Sequence, residues 1–298
     1  MRLLLTSIPA NSEPELRLEE FFGDRIPPYA ILSHTWAEGR HEIQSHDVQH
    51  GSYQQKLGIA KVRGAIEQAR YDGHKYIWID SICIDKTSST ELSEAINSMF
   101  RWYRNSEICY VYLSDVSTQA KGWTRGWTLQ ELLAPKSVTF FTSSWKPLGD
   151  RAELQGAITD ITKIERDLLL GSRPLSSASI AKRMSWAASR ATTREEDMAY
   201  CLLGIFSVNM PMLYGQGQQA FVRLQEEIIK MTDDHTIFAW RAKGSAGIHG
   251  LLADSPHAFA DSSECSSLRT YYTKSAPFAM TNMGLHIELP LLPPKAFR

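Results

Sequence analysis

The chain has 298 residues, with 32 Lys+Arg against 33 Asp+Glu, so its charge makes no electrostatic case for nucleic acid or an anionic membrane surface. A hydrophobic content of 43%, with 8 Trp, 11 Tyr and 11 Phe, suits a filled globular core in one large domain or a domain with an annex. No apolar run is long enough to span a bilayer, and Met1–Leu5 is too short for a signal peptide.

Cys83, Cys109, Cys201 and Cys265 are scattered, with neither a CxxC pair nor a His at zinc-finger spacing. They read as reduced thiols of a cytoplasmic protein without a structural metal. In chain order, Leu16–Phe22 reads as a short helix or edge segment that Pro27-Pro28 interrupts. Tyr29–Ser33 predicts a buried strand ending at a loop that carries Ser33, His34, Trp36 and Glu38. After a polar stretch, Lys56–Tyr71 has Leu57, Ile59, Ala60, Ala65, Ile66 and Ala69 at mostly helical spacing, and Asp72-Gly73 closes it. Tyr76–Asp80 predicts a second buried strand with Asp80 at its carboxyl end. Ser88 and Glu91 form a capping-box pattern ahead of a helix whose apolar residues repeat from Leu92 to Tyr103. Ile108–Leu113 predicts a third strand, followed by Ser114-Asp115.

Trp127 to Leu133 contains no Gly or Pro, and Pro135 stops the run, which predicts a short helix ending near Ala134. Residues four apart share a helix face, so Trp127 and Glu131 lie over each other while Leu129, Leu132 and Leu133 anchor the other side. A carboxylate beside an indole suits a small-molecule site. The same pattern fits an amphipathic turn with a core Trp and a solvated Glu. Val138–Phe141 predicts a fourth strand.

Strands alternating with helices predict an α/β fold, a doubly wound and mainly parallel sheet. In such sheets the ligand crevice lies beyond the carboxyl ends of the strands, where Ser33-His34, Asp80 and Ser114-Asp115 fall. The domain expectation is an α/β domain over 1–149, a helical annex over 150–240, and an extension over 241–298. The annex holds predicted helices over Ile180–Ser189, Glu195–Phe206 and Gln218–Met231. Weakly alternating segments at Tyr271-Tyr272 and Leu285–Leu289 predict short strands in a small β-containing extension. The proline-rich 290–294 reads as the start of a linker, as if the chain were cut from something longer.

The blocks Tyr29-Ala-Ile-Leu-Ser-His-Thr-Trp36, Tyr76-Ile-Trp-Ile-Asp-Ser-Ile-Cys-Ile-Asp85 and Arg125-Gly-Trp-Thr-Leu-Gln-Glu-Leu-Leu-Ala-Pro135 closely resemble the HET (heterokaryon incompatibility) domain of filamentous fungi. The runs Glu91–Tyr103 and Arg190–Tyr200 look like the same family. The resemblance implies a non-self recognition protein whose activation kills the cell, often joined to a nucleotide-binding or repeat region and served by an upstream partner.

A more distant likeness bears on mechanism. Trp127-Thr-Leu-Gln-Glu131 looks like the Trp-x-x-x-Glu helix of TIR domains, Tyr29–Ser33 resembles their first strand, and the strand ending in Asp80 their second. It implies a TIR/flavodoxin-like sheet, self-association for activity, and hydrolysis of NAD at the nicotinamide–ribose bond, with NAD as substrate and no cofactor. Glu131 is then the catalytic carboxylate and Trp127 supports it or the bound ring. The stretch from Asp80 to Thr90 departs from the TIR loop, and the annex has no TIR counterpart.

Around Glu131, Ser33, His34 and Trp36 are candidates to bind the nicotinamide amide or ribose. Asp80 is a candidate to orient a ribose hydroxyl or to cap the next turn, and Arg125 to hold pyrophosphate or pair with an acid. Gly215-Gln-Gly217 imitates a dinucleotide fingerprint without the strand that should precede it. Arg183, Arg190 and Arg194 offer a partner surface or pair with Glu195, Glu196 and Asp197. Two other functions remain open: a non-enzymatic assembly module with a structural Glu131, and a hydrolase using Cys83.

Overall fold

Short runs of β-branched and aromatic residues, apolar on both faces, build a central sheet that helices must cover. In chain order the elements are β1 (Arg2–Leu5), β2 (Leu18–Glu20), β3 (Ala30–His34), α1 (Ser45–His50), α2 (Ile59–Tyr71), β4 (Tyr76–Ile79), α3 (Asp80–Cys83), α4 (Ser89–Asn105), β5 (Ile108–Tyr112), α5 (Thr128–Leu133), β6 (Val138–Phe141), β7 (Pro147–Asp150), α6 (Gln155–Thr162) and α7 (Arg166–Leu169). The computed structural model describes residues 1–7, 15–37, 39–114, 125–242, 249–266 and 278–287. It divides into two units, Met1–Pro174 and Leu175–Arg298.

The seven strands lie in the order β2-β1-β4-β3-β5-β6-β7. The inner four, β4-β3-β5-β6, are parallel throughout. Antiparallel strands flank them: β1 and β2 beside β4, and β7 beside β6. The α/β class read from the sequence holds. Two of the antiparallel strands, β1 and β7, were not foreseen, because Met1–Leu5 is short and Pro147–Asp150 is mostly exposed and lacks apolar alternation. Leu16–Phe22 resolves as the edge segment, with β2 inside it.

Helices cover both faces. Trp78 on β4 meets Trp102 and Tyr103 of α4 edge to face, with centroids 5.5 Å and 5.9 Å apart, and such pairs add about 0.5–1.5 kcal/mol each beyond burial. Register puts Trp78 beside Ile31, and Ile31 beside Cys109, so this face includes Ser33 and Val111. Cys109 lies against the Glu131 carbonyl of α5. On the opposite face Tyr110 donates to Asp72 at the end of α2 (2.6 Å). Helix α2 buries Lys61, Val62, Ala65, Ile66 and Ala69, and closes at Gly73, whose φ of +85° a side chain would strain.

The chain leaves β3 for β4 on one side and then crosses to β5 on the other. That reversal opens a crevice between the carboxyl ends of β3 and β5.

In the second unit the helices are α8 (Ile180–Ser185), α9 (Asp197–Tyr200), α10 (Leu203–Phe206) and α11 (Gln219–Ile229). The single helix expected over Glu195–Phe206 is two four-residue helices joined through Cys201-Leu202. Ser179 caps α8 by accepting from Lys182 N–H. Buried Gln225 of α11 holds Ala253 through both its N–H and its carbonyl. An antiparallel hairpin follows, β8 (Ala279–Thr281) with β9 (Gly284–His286). Tyr271-Tyr272 lies outside the described residues, as does the proline-rich 290–294.

Candidate functional site

Two polar groups leave the end of β3 in opposite directions, because neighbouring strand residues point to opposite faces. Ser33 turns to the α5 side, where its hydroxyl donates to Glu131 Oε2 at 2.6 Å. Glu131 is 7% exposed, held there by α5. That helix is fixed by buried Leu129 and Leu132 and ends at Ala134 ahead of Pro135. Arg151, buried, donates to the carbonyls of Leu132, Pro135 and Lys136, placing a cation at the helix carboxyl end.

Glu131 and Ser33 border a cavity of about 20 Å³ at the β3–β5 switch point, with His34, Val111, Tyr112 and Thr128 among its walls. That volume accommodates roughly one water. A larger ligand therefore requires the walls to part.

His34 turns to the α2 side and is fully enclosed. Its Nε2 stands 3.3 Å from Glu42 Oε1 and 3.7 Å from Asp80 Oδ1, without the alignment of a hydrogen bond. Glu42, 3% exposed, accepts from Lys61 Nζ on both oxygens (3.2 and 2.9 Å), from Ala37 N–H (2.6 Å) and from Ser81 Oγ (3.0 Å). Lys61 Nζ also donates to Thr35 O at 3.1 Å. Burial pushes the His34 imidazole below its usual pKa, assisted by the Lys61 charge and only partly opposed by Glu42 and Asp80. Burial alone would raise the Glu42 carboxyl, but His34 and Lys61 together hold it well below the ordinary carboxylate range.

Comparison with known proteins agrees with the quoted blocks. The family model described as "Heterokaryon incompatibility protein (HET)" matches residues 29–122. Vegetative incompatibility protein HET-E-1 of Podospora anserina is 51% identical over 223 residues. The chain belongs to the HET family. The aligned residues make up 69% of this chain and only 16% of HET-E-1, so the chain spans a small part of that protein's length. Residues 219–282 match a domain of unknown function, DUF8212. No solved structure matches.

Within the matched HET residues fall Ser33, His34, Trp36, Glu42, Lys61 and Asp80, whereas Trp127 and Glu131 lie beyond them. The fold brings Ser33, His34 and Glu131 to one cavity. Trp36 is 44% exposed; its indole N–H donates to Asp80 Oδ2 (2.8 Å), and Lys86 Nζ sits 3.3 Å from its ring centroid. Asp80 begins α3 and accepts from the adjacent Ser81 N–H, but the helix, with Ile79 at its N-cap, has no side-chain cap. Arg125 donates to the His34 carbonyl at 2.8 Å. Trp127 is half-buried and is not among the walls of the Glu131 cavity. Glu38 and Asp115 lie outside the described residues.

Several alternatives lose ground. Cys83 is buried, accepts from Ile79 N–H, and burial pushes its thiol up to about 12, the wrong direction for a nucleophile. The Gly215-Gln-Gly217 turn holds an anion of its own chain: both glycine N–H groups donate to Glu196 Oε1, at 2.7 and 3.0 Å. Arg190 is buried, Arg183 donates to Ile205 O, and Arg194 stacks on Tyr214, so these arginines serve internal contacts. Ser88 caps α4 as expected, but the Glu91 carboxylate goes to Asp85 N–H and Arg2, leaving the capping box half-made.

Glu42, Lys61 and Arg151 were missed. A signal existed for Lys61, which occupies the apolar stripe of α2 one position before Val62. Arg151 and Glu42 sit in segments without periodicity and carried none.

Proposed function

We propose that this chain is the effector module of an incompatibility response that kills the cell by cleaving the nicotinamide–ribose bond of NAD, with Glu131 as the catalytic carboxylate. The observation that carries the reading is the buried Glu131 carboxylate, 2.6 Å from Ser33 Oγ, beside the switch-point cavity. Supporting it, the four parallel strands taken alone are ordered second, first, third, fourth, as in flavodoxin-like sheets, whose ligands bind at that switch. TIR domains share this kind of sheet in the resemblance drawn above. The incompatibility role follows from the family and from the name of the Podospora relative.

The chemistry needs little from the protein. The C1′–N bond breaks with both electrons going to the ring nitrogen, so the pyridinium leaves as neutral nicotinamide and positive charge develops on the ribose. An ionised Glu131 near that sugar stabilises the charge more in the transition state than in the ground state. Water then adds to C1′ and its proton passes to solvent, giving ADP-ribose. Ser33 orients the carboxylate; His34, Trp36, Asp80 and Arg125 surround the rim where the rest of NAD must lie.

A cavity of about 20 Å³ does not admit NAD as it stands. Self-association, or an upstream nucleotide-binding partner, is the proposed cause of its opening. No helix among the described residues is long and apolar enough to cross a membrane, and a cytoplasmic location fits NAD as substrate.

The test is release of free nicotinamide from NAD by the chain alone and after forced oligomerisation. Activity lost in Glu131→Gln supports the reading; silence of both wild-type forms rejects it. The narrow cavity favours one second reading, a non-enzymatic assembly module. That reading predicts that Glu131→Gln leaves killing intact while changes on the helical surface abolish it.

A further inference from the structure

Lys86, in the segment between α3 and α4, has no part in the step just described. Its ammonium lies 3.3 Å from the centre of the Trp36 ring, a close cation–π contact. Among the described residues no hydrogen bond or ion pair holds it. The carboxylates whose charge reaches it, Asp80 and Glu42, are engaged by other donors. Asp80 accepts from Ser81 N–H through Oδ1 (2.7 Å) and from the Trp36 indole through Oδ2 (2.8 Å). Glu42 accepts from Lys61 on both oxygens, and from Ala37 N–H and Ser81 Oγ. Burial pushes the Lys86 ammonium below its ordinary pKa; Asp80 and Glu42 oppose that shift, and Arg125 adds to it. A half-buried cation with no anion of its own carries a desolvation cost that the ring offsets only in part. An incoming anion would offset the rest.

The cation stands at the strand ends. Trp36 follows β3 by two residues, and its neighbour Thr35 is a wall of the Glu131 cavity. Asp80 begins α3 directly after β4, and Arg125 donates to the His34 carbonyl. Lys86 and Arg125 are near enough for one charge to depress the other, so two cations share the rim outside the cavity. The exposed Trp36 leaves that rim open to solvent. Held on a ring rather than by a carboxylate, the ammonium keeps all three N–H donors for phosphate oxygens.

We infer that Lys86, presented on the Trp36 ring beside Arg125, is the cation that receives a diphosphate, the anionic middle of the dinucleotide whose ribose reaches Glu131. The dinucleotide rests on the reading above; the diphosphate site does not.

The experiment is a calorimetric titration of the 298-residue chain with inorganic pyrophosphate, for wild type, Lys86→Met, Lys86→Arg and Lys75→Met. Lys75 is the control: its ammonium lies 5.2 Å from the Tyr76 ring, at the opposite end of β4. Wild type should bind, and Lys86→Met should bind on the order of tenfold to a hundredfold more weakly, the range for one hydrogen bond between charged groups. Lys86→Arg should stay close to wild type, and Lys75→Met should match it. Should Lys86→Met fail to fold, Lys86→Gln removes the charge and keeps a polar end in its place.

No binding by wild type, or equal binding by the folded Lys86 variant, overturns the inference. So does an equal loss in Lys75→Met, which would reduce the effect to net charge. If the chain binds pyrophosphate through Lys86 but releases no nicotinamide, the functional reading falls and this one stands. If it does cleave NAD, Lys86→Met should lower kcat/KM for NAD by the same tenfold to hundredfold, on the order expected for that bond. Nicotinamide riboside, which has the scissile bond and no phosphate, should be cleaved by that variant as by wild type. Equal losses on the two substrates would make Lys86 structural and overturn the inference.

Discussion

Glu131 and Glu42 are both buried glutamates near the carboxyl end of β3, one on the α5 side and one on the α2 side. Glu42 is matched by a lysine and by two further donors, so its charge is absorbed by the fold. Glu131 takes a serine hydroxyl and borders a cavity. Burial therefore does not by itself mark a reactive carboxylate. Under the proposed function, what would set Glu131 apart from Glu42 is the cavity it borders rather than its burial.

The largest way to break this contrast is Lys61→Met. It leaves Glu42 buried and uncompensated, and should cost about 3–5 kcal/mol of stability in urea unfolding. Combining it with Glu42→Met should recover most of that loss, because an apolar pair needs no partner. A double variant no more stable than Lys61→Met would show that Glu42 is solvated rather than absorbed.

Acid sharpens the contrast. The folded His34 pKa lies below its unfolded value, so the unfolded chain binds the proton first and stability falls as pH drops below about 6.5. The folded Glu42 pKa is also depressed; its contribution is complete above the unfolded value of about 4.3 and is lost as pH falls below it. Urea midpoints against pH should show both slopes, with His34→Gln removing the upper one and Glu42→Gln the lower.

Ser33→Ala probes the other side. Losing one hydrogen bond to a charged group, worth about 1.5 kcal/mol or more, should slow nicotinamide release roughly tenfold without disturbing the α2 cluster. The smallest effect concerns the cavity wall. Gly64 lies one turn beyond Lys61 on α2, and a Cβ there would fall 2.0 Å from Trp145 Nε1, whose ring rests on Tyr112 of the wall. Overpacking costs of about 1–3 kcal/mol are offset by about 1 kcal/mol of helix propensity, so Gly64→Ala should lose about 1 kcal/mol net in urea unfolding.

The parallel core was legible because β3, β4, β5 and β6 are continuous apolar runs punctuated by helices, a pattern few other folds produce. The short antiparallel edges β1 and β7 were not, since a four-residue strand stabilised by one neighbour leaves little periodicity. Strand-end position and the spacing of the following helix placed Ser33, His34 and Glu131 at one rim, and the three residues line one cavity. Trp127, the N-cap of α5, is not among the walls of the Glu131 cavity, which α5 lines through Thr128, Glu131 and Leu132. Glu42 escaped because a loop glutamate is ordinarily solvated, and only the tertiary arrival of Lys61 and Ser81 buries it.

The measurement that bears most directly on the account is nicotinamide release by Glu131→Gln and Glu42→Gln side by side, with the urea midpoint of each. The account predicts that Glu131→Gln loses on the order of a hundredfold or more in rate while keeping near-wild-type stability, and that Glu42→Gln loses less rate and more stability. A Glu131→Gln chain that releases nicotinamide at the wild-type rate would contradict it.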